Sequence, residues 1–220
     1  MPYPYGRDGD RFSDSPAAGA TLETWSSRAP FAWRRHHEQH EEIHQMTVQQ
    51  RSFLGRALYV GPSLRTLHEQ YAKHGTVDAG APVLASCEVT VRAPSSEVWE
   101  LLADIARWPS WVPGVREARP DGEPAPDVPF RWVLNGMRVK STLAVVRPGS
   151  ELSWTGTLAG TRGVHRFLLE PAHGGTRVRS EESIGGPLAG LLYSSDKLRA
   201  VLADWTAALK SQAEKAGSTR

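Results

Sequence analysis

Between residues 128 and 183 apolar and polar side chains alternate across four turn signals, and few folds can satisfy that pattern. Asn135-Gly136 is a two-residue hairpin signal, because the favoured tight turn needs positive φ at both central positions. It sets Leu134 opposite Met137, Trp132 opposite Val139 and Phe130 opposite Ser141. The turn Arg147-Pro148-Gly149-Ser150 pairs Val145 with Leu152, Leu143 with Trp154 and Ser141 with Gly156. A loop from Gly160 to Gly163 pairs Leu158 with His165, Gly156 with Phe167 and Trp154 with Leu169, and His173-Gly174 pairs Leu169 with Val178, Phe167 with Ser180 and His165 with Glu182.

These registers sort the residues into two faces. Phe130, Trp132, Val139, Leu143, Val145, Leu152, Trp154 and Phe167 share one, while Arg131, Arg138, Lys140, Ser153, Thr155 and Arg166 share the other. A slip of one residue anywhere would mix the sets. The pattern predicts a long antiparallel meander with one solvated face and one apolar face that needs a cover.

The cover lies at the end of the chain. From Pro187 to Glu214, Leu188, Leu191, Ser195, Leu198, Leu202, Trp205 and Leu209 recur at steps of three and four, which places them on one side of a helix. Ser195 is the polar exception in that stripe. It either meets a polar group across a cavity or bonds back to its own helix.

Ahead of the meander, Cys87, Val89 and Val91 alternate with Glu88, Thr90 and Arg92 as a half-buried strand from Leu84. Pro94-Ser95-Ser96 then opens a short helix over Glu97–Ile105. A second short helix or turn runs through Trp108-Pro109-Ser110-Trp111, where the two tryptophans suit a packing plug at the end of a cavity.

Residues 1–80 differ in kind. The first 22 are rich in Pro, Gly, Ser and Asp and have the composition of a disordered segment. Helix formers follow to about Ala57, and a second short helix over Ser63–Lys73 and a linker over Gly75–Pro82 are expected after them. His36, His40 and His44 stand four apart, a spacing that can hold a divalent metal, but no third element supports it and a solvated polar face fits better. With Trp25, Phe31 and Trp33 beside it, this extension suits a lid or a contact in a homodimer.

The 220 residues fit one domain plus an extension, expected as 1–80 and 81–216. A net charge of +2, evenly spread, argues against a nucleic-acid partner. One cysteine gives no internal disulfide, and no stretch is apolar enough to span a membrane, so a soluble cytoplasmic protein without a cofactor is expected.

The order of strand, two short helices, meander and long C-terminal helix resembles the helix-grip fold of the START and birch-pollen-allergen superfamily, also called SRPBCC. Val91-Arg92-Ala93-Pro94-Ser95-Ser96-Glu97-Val98-Trp99, Trp108-Pro109-Ser110-Trp111 and Gly174-Gly175-Thr176-Arg177-Val178 are similar to its bacterial polyketide cyclase/dehydrase branch. The resemblance covers about residues 83–214. It implies an α+β fold in which a curved antiparallel sheet of about seven strands wraps the terminal helix around a cavity. Members of the superfamily bind lipids, ubiquinone, hormones, polyketides or partner proteins there, and the fold alone does not choose among them.

The registers leave few polar groups facing inward: Ser141, His165, Ser180 and Glu182, with Ser195 from the helix. His165 and Glu182 stand opposite one another, where cross-strand side chains touch. Histidine as general base, oriented by a carboxylate, would remove a proton next to a carbonyl and promote cyclisation and dehydration of a polyketide-like substrate. The bland alternative is a satisfied polar pair in a non-catalytic carrier of small molecules or lipids. Trp111, Trp132, Trp154 and Phe167 are the expected aromatic wall, with Gly156 and Ser141 leaving room for a flat hydrophobic ligand.

Overall fold

Alternation becomes a seven-stranded antiparallel sheet of order β1-β7-β6-β5-β4-β3-β2 in the computed structural model, which describes residue 55 and residues 58–217. The strands are β1 (Val83–Val91), β2 (Val115–Pro120), β3 (Pro129–Leu134), β4 (Met137–Arg147), β5 (Glu151–Leu158), β6 (Thr161–Ala172) and β7 (Gly175–Gly185). A short helical segment, α1 (Leu64–Thr66), continues through a π turn and a 3-10 turn to His74, and α2 (Ser95–Ala103) follows β1. After α2 comes a 3-10 turn, Ile105–Ser110, and the chain ends in α3 (Ala189–Leu192) and α4 (Ser195–Gly217). This is the helix-grip architecture. The histidine run at 36–44, the helix expected up to Ala57 (Gly55 apart) and the first 22 residues lie outside the described residues.

Two hairpins have the expected registers. Trp132 faces Val139 across β3 and β4, and His165 faces Glu182 across β6 and β7. Two others differ. Across β4 and β5 the expected pairs Ser141–Gly156 and Leu143–Trp154 hold, but a bulge between Leu143 and Val145 turns Val145 outward opposite Ser153 and brings Val146 in opposite Leu152. Between β5 and β6 the turn is Ala159-Gly160, both at positive φ (48° and 84°), rather than a loop over Gly160–Gly163. Leu158 therefore pairs with Thr161, and Trp154 pairs with His165 instead of Leu169. The displacement is even, so every side chain keeps its face.

The inner face is filled at one end by aromatic packing around Trp108. Its ring lies 5.7 Å from Phe130, 5.8 Å from Trp132, 5.3 Å from Trp154 and 6.2 Å from Trp205. The buried indole N–H donates to the Leu102 carbonyl at 3.0 Å, so the polar atom is satisfied. Leu198, Leu202, Trp205, Leu209 and Ala213 of α4 press onto this face, all buried. Each buried leucine contributes roughly 1.5–3 kcal/mol by leaving water.

The terminal helix starts later than its stripe suggested. The Ser194 hydroxyl accepts from the Lys197 N–H at 3.2 Å and caps α4, while Leu188 and Leu191 are exposed, Leu188 just ahead of the separate short α3 and Leu191 within it. Ser195 accepts from the Leu84 N–H at 3.1 Å and so ties the helix start to β1.

The outer face, expected to be solvated, is partly covered, because residues 59–80 lie across it. Leu67 and Ala72 pack on Ala144 and Val164, which explains why Ser153, Thr155 and Val164 are buried. His68 bonds Thr155 Oγ1 through Nδ1 at 2.9 Å and Asp127 Oδ1 through Nε2 at 2.8 Å. The Asp78 N–H donates to Ser183 Oγ at 3.1 Å, and Arg162 donates to the Val60 carbonyl. The stretch from Gly75, expected as a linker, is thus the end of a strap fastened to β5, β6 and β7. His68, Glu69 and Asp127 bring potential ligand atoms together, but Lys73 bonds both Glu69 (3.1 Å) and Asp127 (2.8 Å) and supplies the positive charge. No helix among the described residues is long and apolar enough to cross a membrane.

Candidate functional site

Beside the aromatic core, the grip leaves a hollow of about 330 Å³ between the sheet and the start of α4. That is the lower end of the range for small-molecule sites. Trp132, Ser141, Trp154 and Gly156 form its floor, and Trp205, Val201 and Leu198 its roof. The room depends on Gly156, where a Cβ would come within 2.9 Å of Ser141 Oγ. The mouth is edged by Asn135 and Met137 of the first hairpin, Ala159 of the next turn and Leu192 of α3.

His165 and Glu182 stand on this wall. Nδ1 of His165 lies 3.4 Å from Oε2 of Glu182, and Nε2 is 2.9 Å from Ser180 Oγ. The imidazole is stacked among Trp154, Phe167 and Trp205, with ring centroids at 4.5, 5.0 and 5.5 Å. Such a site suits a neutral ring. Burial pushes the His165 pKa down, to about 3, and that of Glu182 up, to about 8, which favours the uncharged form of each. The side chain of His165 is 4% exposed and that of Glu182 22%, so the carboxyl is the more accessible member.

The structure gathers five of the expected site residues at the hollow: Trp132, Ser141, Trp154, His165 and Glu182. The Trp132 N–H donates to Ser141 Oγ at 3.0 Å, which orients that hydroxyl. Ser180 and Phe167 lie behind His165 and support it. Ser195 is spent on Leu84, and Trp111 lines a separate open groove with Trp99 and Glu100, so neither borders the hollow. Tyr193 borders it without having been singled out by the pattern, because the expected helix ran through it. Its backbone is extended (φ −137°, ψ 142°) in the break between α3 and α4, and that break turns the ring inward. Burial, then the charge of Glu182, raises its pKa.

Fold and site together define a helix-grip protein of the SRPBCC superfamily whose grip encloses a largely apolar hollow with one polar wall. The chain belongs to the family described as "Polyketide cyclase / dehydrase and lipid transport", whose model matches residues 83–216. Solved structures of similar fold include a hypothetical protein from Helicobacter pylori (17% identity, 61% of this chain and 90% of that one, TM-score 0.56). The XoxI protein from Bacillus cereus (11% identity, 60% and 95% covered, TM-score 0.51) and a protein from Mesorhizobium loti (21%, 58% and 94%, TM-score 0.50) are also similar. At these identities the likeness concerns the fold alone. No curated protein matches the chain.

Proposed function

We propose that the hollow takes a hydrophobic small molecule of aromatic or polyketide kind, and that Glu182 is the group that meets its oxygen. The observation that carries this reading is the His165–Glu182 pair on the wall of an otherwise largely apolar hollow. A buried polar pair is costly unless it is used or satisfied, and here the carboxyl still has an accessible side. The geometry favours exchanging the expected roles. Both nitrogens of His165 face protein atoms, so the imidazole positions the carboxyl rather than touching the ligand.

A neutral carboxyl can promote aldol cyclisation without a change in net charge. One oxygen gives its proton to the acceptor carbonyl as the new carbon–carbon bond forms, and the other oxygen takes the proton released by the enol hydroxyl as that becomes a ketone. Loss of water from the aldol then gives the dehydrated product. The second reading is a carrier in which the same pair only orients the ligand, and it draws on the same observation, since a fully engaged imidazole leaves no other base at the hollow.

Mass spectrometry of small molecules released by denaturing the purified protein tests the binding claim, with Glu182→Leu as the comparison. An oxygen-bearing apolar compound should leave the wild type and be depleted in the variant. Recovery of no compound, together with no response of an apolar fluorescent probe, would remove the reading. Glu182→Gln separates the two classes: a carrier keeps its ligand and has no turnover to lose, whereas a cyclase keeps the ligand and loses product formation.

A further inference from the structure

We propose that Tyr193 and Glu182 form a two-donor seat for one ligand oxygen, a ketone or a phenol-type hydroxyl carried on a ring system. This inference rests on the reading of the hollow as a ligand site and adds the group that reads the ligand's oxygen. Tyr193 and Glu182 border the same hollow, one from the break between α3 and α4 and the other from β7. Burial raises the Tyr193 pKa, and the charge of the Glu182 carboxylate, once ionised, adds to the rise. Among the described residues no protein group hydrogen-bonds the Tyr193 hydroxyl, although its ring packs against the cluster of Val83, Ala85, Leu198 and Leu202. A phenol at the border of the hollow with no such partner has an O–H free for whatever fills the space. A carboxyl held neutral by burial presents a second O–H, and two such donors suit an oxygen on which negative charge gathers.

The backbone supports a purpose for this placement. Leu188 adopts φ 63° ahead of α3, and the chain leaves helical geometry at Tyr193 before Ser194 starts α4. A continuous helix would have carried residue 193 round to a face different from that of Leu198. The interruption delivers one tyrosine to the wall beside Glu182.

A matched pair of probes isolates the hydroxyl: naphthalene and 2-naphthol, with binding followed by quenching of Trp132, Trp154 and Trp205 at the wall. Without polar partners in the hollow, 2-naphthol should bind more weakly than naphthalene, because its hydroxyl is better solvated in water. With the two-donor seat, the wild type should bind 2-naphthol about 10-fold more tightly than naphthalene. Tyr193→Phe should cut that preference by about 3- to 10-fold and leave naphthalene affinity unchanged, which also reports that the variant is folded. A wild type with no preference, or a preference that survives Tyr193→Phe, overturns the seat and leaves the hollow as a ligand site. Failure of both probes to bind the wild type overturns the ligand site and the seat with it.

Discussion

The Glu182 carboxyl and the His165 imidazole meet 3.4 Å apart on neighbouring strands, and burial drives both toward their uncharged forms. The consequence for stability follows from proton counts. The unfolded chain releases the Glu182 proton near pH 4.5, while the folded chain keeps it to about 8, so across that window stability falls as pH rises. The unfolded chain protonates His165 near 6.5 and the folded chain resists to about 3, so across that window stability falls as pH falls. Between 4.5 and 6.5 the two slopes cancel. The pair therefore gives a plateau there, with declines from 6.5 to 8 and from 4.5 to 3. Denaturant unfolding at pH 5.5, 7.5 and 8.5 should show the alkaline decline in the wild type but not in Glu182→Gln, the difference reaching the order of a few kcal/mol. Parallel curves would show that Glu182 does not hold its proton.

Trp108 touches Phe130, Trp132, Trp154 and Trp205, and it belongs to the 3-10 turn rather than to the sheet or α4. It joins the three layers. Trp108→Ala should cost about 3–5 kcal/mol, since the cavity would open where rings from several elements converge. Trp111→Ala, three residues on at an open groove, should cost much less. Equal losses in thermal or denaturant unfolding would contradict the separate places of the two tryptophans.

The faces of the meander were legible because period-two alternation survives any even error of register. Trp154 was expected opposite Leu169 and stands opposite His165, yet both arrangements point it inward. The error came from Ala159, which carries no sign of the positive φ that the true turn demands. His165 and Glu182 were found by pattern alone because the hairpin between β6 and β7 ends in His173-Gly174, a turn with an ordinary signal. Tyr193 was hidden for the opposite reason. A break in a helical stripe is a matter of φ at Leu188 and a cap at Ser194, neither of which disturbs the spacing of leucines. The strap was missed because Ser153 and Thr155 look like solvent residues until His68 is seen to bond one of them.

That strap bears on where a stable chain can begin. A chain beginning at residue 58 keeps Leu67, Ala72 and the His68 bonds over the outer face, whereas one beginning at 81 uncovers Ala144, Val164 and Thr155. Losing one buried leucine and two hydrogen bonds should cost at least about 2 kcal/mol, or roughly 4–8 °C in Tm. The shorter chain should also associate, because its outer face then carries a new apolar patch. Equal melting temperatures for the two chains would mean that the strap lies on the sheet without stabilising it.

At Ala159 conformation and sequence also disagree, and the position offers a gain rather than a loss. It is exposed, sits at φ 48° in the turn that sets the register of β5 against β6, and is followed by Gly160 at φ 84°. A non-glycine residue in that region costs roughly 1–2 kcal/mol, partly offset by the greater freedom glycine brings to the unfolded chain. Ala159→Gly should therefore stabilise the domain by about 0.5–1 kcal/mol, and Ala159→Val should destabilise it, because a branched Cβ tolerates positive φ least. The same turn keeps Trp154 beside His165, so quenching of tryptophan fluorescence by 2-naphthol should be preserved in the glycine variant and weakened in the valine variant. A valine variant as stable as the wild type would imply that the chain uses the longer loop over 160–163, with Trp154 opposite Leu169, and the imidazole would then lose its closest aromatic neighbour.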